Sequence, residues 1–379
     1  MSLMLPSHNS ASLSLADVLP SCLASLGISG YENALSLPHV STAVVVLVDG
    51  LGSQNLSHAK AHARFLAGAA GGQPKLQTVF PSTTASALAT LTTGSVPGVH
   101  GMLGYKIRDP RSGQMLNMLK DLAKLEDMPT WLGAEPLYGL ARAQDVTPTV
   151  VSHSRFASTP LTEVIHRGAT MLSANSFDER VDAVIELSRG QGKNLVVVYF
   201  SELDELAHSH GVSSHQWAAK LEDLDAALER LQSHVSSDVG IIVTADHGVV
   251  DIPAHKQILF GSDSDLITGV REIGGEPRCL QLYVEPEADR DLLVVKWRDF
   301  VGDTAWVVSR EDAVENGLLS GLSDINAPRV GDIFVLARKD VVFYDERDAA
   351  RSGRNMVGQH GGLSPVEMAI PCIKLGGYR

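Results

Sequence analysis

Cysteine is scarce. Cys22, Cys279 and Cys372 are the only three in 379 residues, and they lie far apart. An odd, widely spaced set excludes a disulfide framework and a thiolate zinc site, leaving buried apolar cysteines in a reducing compartment as the expectation. Long hydrophobic runs are missing too. No window approaches the roughly 18 apolar residues of a spanning helix, so no membrane crossing is expected. The start, MSLMLPSHNSASLSLADVLP, has neither a basic stretch nor an unbroken apolar one, which argues against a signal peptide and for a cytoplasmic protein. Positive charge is also short, with 31 Lys and Arg against 44 Asp and Glu and a net charge of −13. Coating nucleic acid needs clustered cations, so that class is set aside. A phosphate-ester substrate is not, because bound metal cations can invert a local field. Composition is silent on oligomeric state.

What is present is the mixture of an ordinary globular chain, 44% hydrophobic and 20% charged, long enough for one large α/β domain with an insertion or for two domains. Ala43-Val44-Val45-Val46-Leu47-Val48 is the continuous β-branched run of a strand buried on both faces. Asn194 to Phe200 and Val239 to Val243 repeat the pattern. Helices are expected near Leu15–Leu26, after Pro81, at Thr130–Gln144, at Arg180–Arg189 and at Gln216–Val235, with a short strand at Pro148–Ser152. Thr93 to Gly101 reads as a glycine-punctuated loop. Such alternation predicts an α/β fold with a mainly parallel central sheet sandwiched by helices. From about Gly274 to Asp345 the texture changes: an alternating strand at Cys279–Val284, a helix at Asp289–Val301 and a strand at Ile333–Ala337. The expected organisation is a core of residues 1–273 and 346–379 with a smaller α+β insertion at 274–345. A last strand is expected at Met368–Ile373.

The chemistry-bearing residues sit where these strands end. Asp49 follows the first strand and precedes Gly50, a position where open α/β sheets place ligands, although a helix cap reads equally well. Asp204 and His208 are four apart, so one helical turn puts both on one face. His210 is offset from it. Asp246 and His247 can reach a single point only if the strand breaks, and Gly248 supplies the break. His360 lies in the uncrowded loop Gly358-Gln359-His360-Gly361-Gly362. Thr84 stands in the Ser/Thr cluster at a helix start, beside unpaired N–H groups and the positive end of the dipole. Taken singly, each has a blander reading as cap, solvated pair or loop. Jointly they match a two-metal site of carboxylate and imidazole ligands around a hydroxyl nucleophile. Arg338, Lys339 and Arg351 are weaker candidates for anion contacts.

The chain resembles the alkaline phosphatase superfamily, and within it the nucleotide pyrophosphatase/phosphodiesterases, or type I phosphodiesterases. VVVLVDG ending at Gly50, FPSTTAS from Phe80, TTGSVPGVHG ending at Gly101, DELAHSHG from Asp204, TADHG from Thr244 and QHGG from Gln359 carry the likeness. It implies one divalent ion at Asp204, His208 and His360. A second, about 4 Å away, is implied at Asp49, Asp246 and His247, touching the Thr84 hydroxyl. Zinc suits three imidazoles best, while manganese or iron would tolerate the carboxylates. Thr84 would attack phosphorus and form a phospho-threonine that is then hydrolysed. Thr83, Ala85 and Tyr105 are the implied substrate contacts, and the substrate is a small phosphate ester, a nucleotide among the candidates.

Two departures stand out. The phosphodiesterase branch usually has Thr-x-Pro-Asn at the nucleophile, and Ser86 and Ala87 replace the last two here. Tyr105 stands where that branch commonly has Asn. Diester preference is therefore open against a phosphomonoesterase or phosphonate hydrolase. A sulfatase is disfavoured, since the nucleophile segment holds no cysteine. A catalytically silent binder of phosphorylated ligands is the non-enzyme alternative.

Overall fold

The computed structural model describes residue 5 and residues 12–261, 265–348 and 352–379. Arg351 lies outside the described residues. Five strands run parallel: β1 (Thr42–Val48), β2 (Val146–Ser152), β3 (Thr170–Ser173), β4 (Lys193–Phe200) and β5 (Val239–Thr244). A smaller antiparallel sheet follows, of β6 (Val270–Glu276), β7 (Cys279–Val284), β8 (Ala305–Ser309) and β9 (Ile333–Ala337). β10 (Ile373–Gly376) then returns antiparallel to β5 and completes a six-stranded sheet in the order β10-β5-β1-β4-β2-β3. Every residue of β1 is buried, as a strand with helices on both faces requires. Because β5, β1 and β4 are parallel neighbours, their carboxyl ends lie side by side. The central carboxylates are thereby brought to one edge.

The helices include α1 (Val18–Ser25), α2 (Thr84–Thr93), α3 (Phe177–Ser188), α4 (Glu202–His210) and α5 (His215–His234). The amphipathic α5 buries Trp217, Leu221, Leu224, Leu228 and Leu231, an i, i+4, i+7 stripe. Ser176 and Glu179 close a capping box at the start of α3.

The insertion sheet packs on both faces. Leu280, Leu282, Ile333, Val335 and Val307 join a second core beneath α6 (Arg290–Val301), while Cys279, Phe334, Leu336 and Val308 belong to the main core. Period-2 alternation sorts the two sets. The second core takes in Phe260 and Leu266 as well, so its apolar contacts start upstream of the change in texture near Gly274.

Some expected elements differ. Thr130–Gln144 holds a 3₁₀ turn at Met128–Thr130 and a helix only at Leu137–Arg142, because Pro136 supplies an extended N-cap rather than helix interior. Pro97–His100 is a one-turn helix instead of loop. The closing strand is two: Ala369–Pro371 pairs with Lys75–Gln77, and β10 begins after Cys372. Gly248 is required for space and not for a left-handed backbone, since a Cβ there would sit 2.0 Å from the Val366 carbonyl oxygen. Arg338 stacks over Trp306, and Lys339 pairs with exposed Asp303.

Trp297 is fully buried, edge-on to Phe260 at 5.1 Å, and donates its indole N–H to the Leu266 carbonyl at 2.9 Å. Trp297→Ala is expected to cost about 3–5 kcal/mol, checked by urea unfolding.

Candidate active site

Three carboxylates meet at the carboxyl edge of β5, β1 and β4. Asp49, one residue past β1, is 3% exposed; Asp246, two past β5, is 0%; Asp204, in the first turn of α4, is 8%. Each is built alike, with one oxygen anchored and one left without a partner. Asp246 Oδ1 accepts the backbone N–H of Gly50 at 3.0 Å and of His247 at 2.9 Å. Asp49 Oδ2 accepts the Tyr199 hydroxyl, and Asp204 Oδ2 faces His208 Nε2 at 3.1 Å. The remaining oxygens, Asp49 Oδ1, Asp204 Oδ1 and Asp246 Oδ2, are buried with no hydrogen-bond partner. A buried carboxylate oxygen left bare is costly, and two of them, Asp49 Oδ1 and Asp246 Oδ2, lie beside His247 Nε2 where a cation would offset them.

The imidazoles are oriented for the same purpose. His208 Nδ1 donates to the Gly358 carbonyl at 2.8 Å, and His360 Nδ1 to that of Ser82 at 2.9 Å. In His360 the carbonyl partner fixes the proton on Nδ1 and leaves the Nε2 lone pair for a metal, whereas His208 Nε2 meets Asp204 Oδ2. His247 Nε2 lies 3.3 Å from Asp246 Oδ2, 3.5 Å from Asp49 Oδ1 and 3.3 Å from Thr84 Oγ1. Its ring stacks on His360 with centroids 3.6 Å apart.

Two triads offer ligand atoms within 4.8 Å of one another: Asp49, Asp246 and His247, and Asp204, His247 and His360. His247 therefore belongs to both, whereas the resemblance gave it to the first alone. His208 stands outside both triads, because its Nε2 is turned onto Asp204. It remains 5.2 Å, ring to ring, from His360. The donor set of carboxylates and imidazoles fits two divalent ions.

Thr84 opens α2, with Thr83 as an extended N-cap that is nearly fully buried. The contact with His247 belongs to Thr84 and not to its neighbour Thr83. Ala85 is buried in the first helical turn, beside Ser86, whose hydroxyl is buried without a partner. Tyr105 is half-buried, and its backbone N–H donates to Glu276 Oε2 at 2.9 Å. His210 is exposed at the end of α4 and is not brought in. Tyr199 is the contributor that sequence reasoning passed over. Its one signal was a hydroxyl-bearing ring at the end of an otherwise apolar strand, in register with Leu47.

Crowding dictates the protonation pattern. Burial, then Asp246 and Asp204, push the Asp49 carboxyl well above its usual range. Burial first, with Asp204 adding, raises Asp246 to about 6. Burial opposes ionisation of Asp204 too, but His208 beside it outweighs this and holds the carboxyl low. Burial also lowers His247 to about 4 and His360 to about 3, so both are neutral ligands near neutrality.

Comparison with known proteins places the chain in a family. The family model for type I phosphodiesterase / nucleotide pyrophosphatase matches residues 43–363. Rat ectonucleotide pyrophosphatase/phosphodiesterase family member 1 is 24% identical over 230 residues, 56% of this chain and 24% of that protein. The catalytic subunit of mouse GPI ethanolamine phosphate transferase 3 is 24% identical over 211 residues, 55% of this chain and 17% of that one. The chain thus spans about a quarter or less of the length of these curated relatives. Human ectonucleotide pyrophosphatase / phosphodiesterase 5 superposes with a TM-score of 0.68 at 18% identity, over 88% of this chain and 87% of that one. Phosphonoacetate hydrolase from Sinorhizobium meliloti, solved with phosphonoformate, gives 0.67 at 18% identity over 89% and 91%. These structural likenesses speak to fold.

Metal binding is expected to weaken as pH falls through about 6, where Asp246 takes up a proton that a cation must displace. His247 and His360, held at about 4 and 3, stay neutral across that window. Competition with a chromophoric chelator at pH 5, 6, 7 and 8 checks this. Equal affinity at pH 5 and 7 would contradict it.

Proposed function

The chain belongs to the type I phosphodiesterase / nucleotide pyrophosphatase family, and from that premise we propose that it is a two-metal hydrolase of phosphoric esters acting through Thr84. The observation that carries the reading is the set of three buried carboxylates, each with one anchored oxygen and one without a hydrogen-bond partner, gathered around His247, whose Nε2 lies 3.3 Å from the Thr84 hydroxyl. A silent phosphoryl-binding protein would have no need of so costly a cluster.

Asp49, Asp246 and His247 would hold one divalent ion, and Asp204, His208 and His360 the other. Zinc is our choice from the donor set. When bound, the ions supply the positive charge that favours ionised Thr84 and offsets the phosphoryl oxygens. Thr84 Oγ1 then attacks phosphorus, forming an Oγ1–P bond as the bond to the leaving oxygen breaks. Hydrolysis of the phospho-threonine by water returns the hydroxyl and releases phosphate or a phosphate monoester. The first-turn N–H groups of α2 are placed to hold equatorial oxygens, since nothing within the helix accepts them. Tyr199 steadies Asp49 by its hydroxyl.

For the substrate we favour a phosphodiester or a nucleotide pyrophosphate. An inactive variant of murine ectonucleotide pyrophosphatase / phosphodiesterase 5, solved with AMP, has the same fold, with a TM-score of 0.66. A specific observation keeps a monoester or phosphonate as second reading: Ala87 and Tyr105 supply no side-chain amide for a phosphoryl oxygen. We further propose a cytoplasmic setting, supported by three buried cysteines that are all free. Among the described residues no helix is long and apolar enough to cross a membrane.

Thr84→Ala is expected to cut turnover of a p-nitrophenyl phosphate ester by roughly 10³-fold or more while two metal equivalents stay bound. Near-normal turnover would remove Thr84 from the nucleophile role. Rates on a monoester and a diester, measured on one zinc-loaded sample and repeated with manganese, separate the two substrate readings. Fewer than two equivalents of metal in the wild-type protein would favour the silent binder instead.

A further inference from the structure

The loops that carry His247 and His360 are far apart in sequence, yet one residue ties them. The Glu367 carbonyl accepts the N–H of Gly248 at 2.9 Å, next to His247. Its side-chain Oε1 accepts the N–H of Gly362 at 2.8 Å, two residues past His360. Both glycines are pressed on this segment. A Cβ at Gly248 would meet the Val366 oxygen at 2.0 Å, and one at Gly362 would meet both Glu367 carboxylate oxygens at 3.0 Å. Glu367 thus bridges the two loops.

Glu367 is itself held from the insertion. Arg278, in the turn between β6 and β7, grips it with two prongs: Nε donates to Oε1 at 2.6 Å and Nη2 to Oε2 at 2.7 Å. Both residues are 0% exposed. The remaining guanidinium group, Nη1, donates to the Lys339 and Val341 carbonyls at 3.0 and 2.9 Å. A two-pronged pair fixes angle as well as distance, which a point charge would not do. A buried ion pair is a poor source of stability but a good source of registration, because its geometry admits few alternatives.

We propose that the Arg278–Glu367 pair is a positioning device for the metal centre, through which the insertion sets the spacing of His247 and His360. The proposal rests on the reading of those two histidines as metal ligands. The insertion is then a working part of the centre rather than only a cover over it. Neither residue touches the reacting atoms. Their action runs through the Gly248 and Gly362 amides.

The test compares two double variants, because Arg278→Met alone would strand a buried carboxylate. Arg278→Met with Glu367→Gln removes both charges but keeps an acceptor for Gly362. Arg278→Met with Glu367→Met removes the acceptor as well. Zinc titration against a chelator is read on each, with thermal melting of the metal-free forms alongside. The methionine pair is expected to lose about tenfold or more in affinity for at least one of the two ions, as loss of an outer support does in other metal sites. The Met/Gln pair should bind both ions more tightly than the methionine pair, with similar melting temperatures in the two. Wild-type affinity in the methionine pair, or equal losses in both pairs, would overturn the proposal. If the methionine pair does not fold, Arg278→Lys serves: it keeps the charge without the second prong and should still weaken zinc, and unchanged affinity there would also overturn the idea. A wild-type protein that binds fewer than two ions would instead refute the underlying assignment of the ligands.

Discussion

Like charges confined without water are the constraint on which the rest of this structure depends. Asp49, Asp204 and Asp246 are drawn to one buried place by the parallel pairing of β4, β1 and β5, and cannot all ionise there unaided. The surroundings reflect it. Each carboxylate has one oxygen tied by a hydrogen-bond or ion-pair partner, two of the three are pushed up in pKa, and His247 and His360 are driven neutral by burial. An arrangement this unfavourable in itself becomes favourable when cations occupy it. The same features that weaken the bare fold would thus favour a bound cation.

Thr84 enters this field from another direction. It is presented by the first turn of α2, so its hydroxyl sits beside both the ligand cluster and a row of unpaired N–H groups. In the proposed reaction one helix terminus would therefore serve both attack and charge stabilisation. Tyr199 is a smaller part of the same economy of placement: the strand that leads to Asp204 also delivers the hydroxyl that restrains Asp49. The turn between β6 and β7 reaches in behind the loops of His247 and His360, by Glu276 to the Tyr105 amide and by Arg278 to Glu367.

Much of this was legible in the chain before folding. β1, β4 and β5 are near-continuous apolar runs, a pattern that only a strand covered on both faces satisfies, and their ends named Asp49, Asp204 and Asp246. Asp204 and His208 shared a helix face by spacing alone. Less legible were elements whose limits depend on neighbours. The Thr130–Gln144 segment looked helical by composition, but Pro136 stands as the N-cap and the helix is confined to Leu137–Arg142. Met368–Ile373 read as one strand and is divided between two partners. Gly248 looked like a backbone hinge, and the real demand there is room for the Val366 carbonyl.

The sequence by itself determined the kinds of residue at the strand ends and the alternation that makes a parallel sheet, because burial and periodicity are local properties of a chain. Only the tertiary structure decided which oxygens are anchored and which are bare, that His247 is shared between two ligand triads, and that Thr84 rather than Thr83 faces them. It also decided that a glutamate near the carboxyl end and an arginine from the insertion share one buried grip on the ligand loops. Those relations join residues far apart along the chain, such as Thr84 and His247 or Arg278 and Glu367. Their distances are set by how the sheet stacks its strands and by what the insertion presses against. No local pattern encodes that.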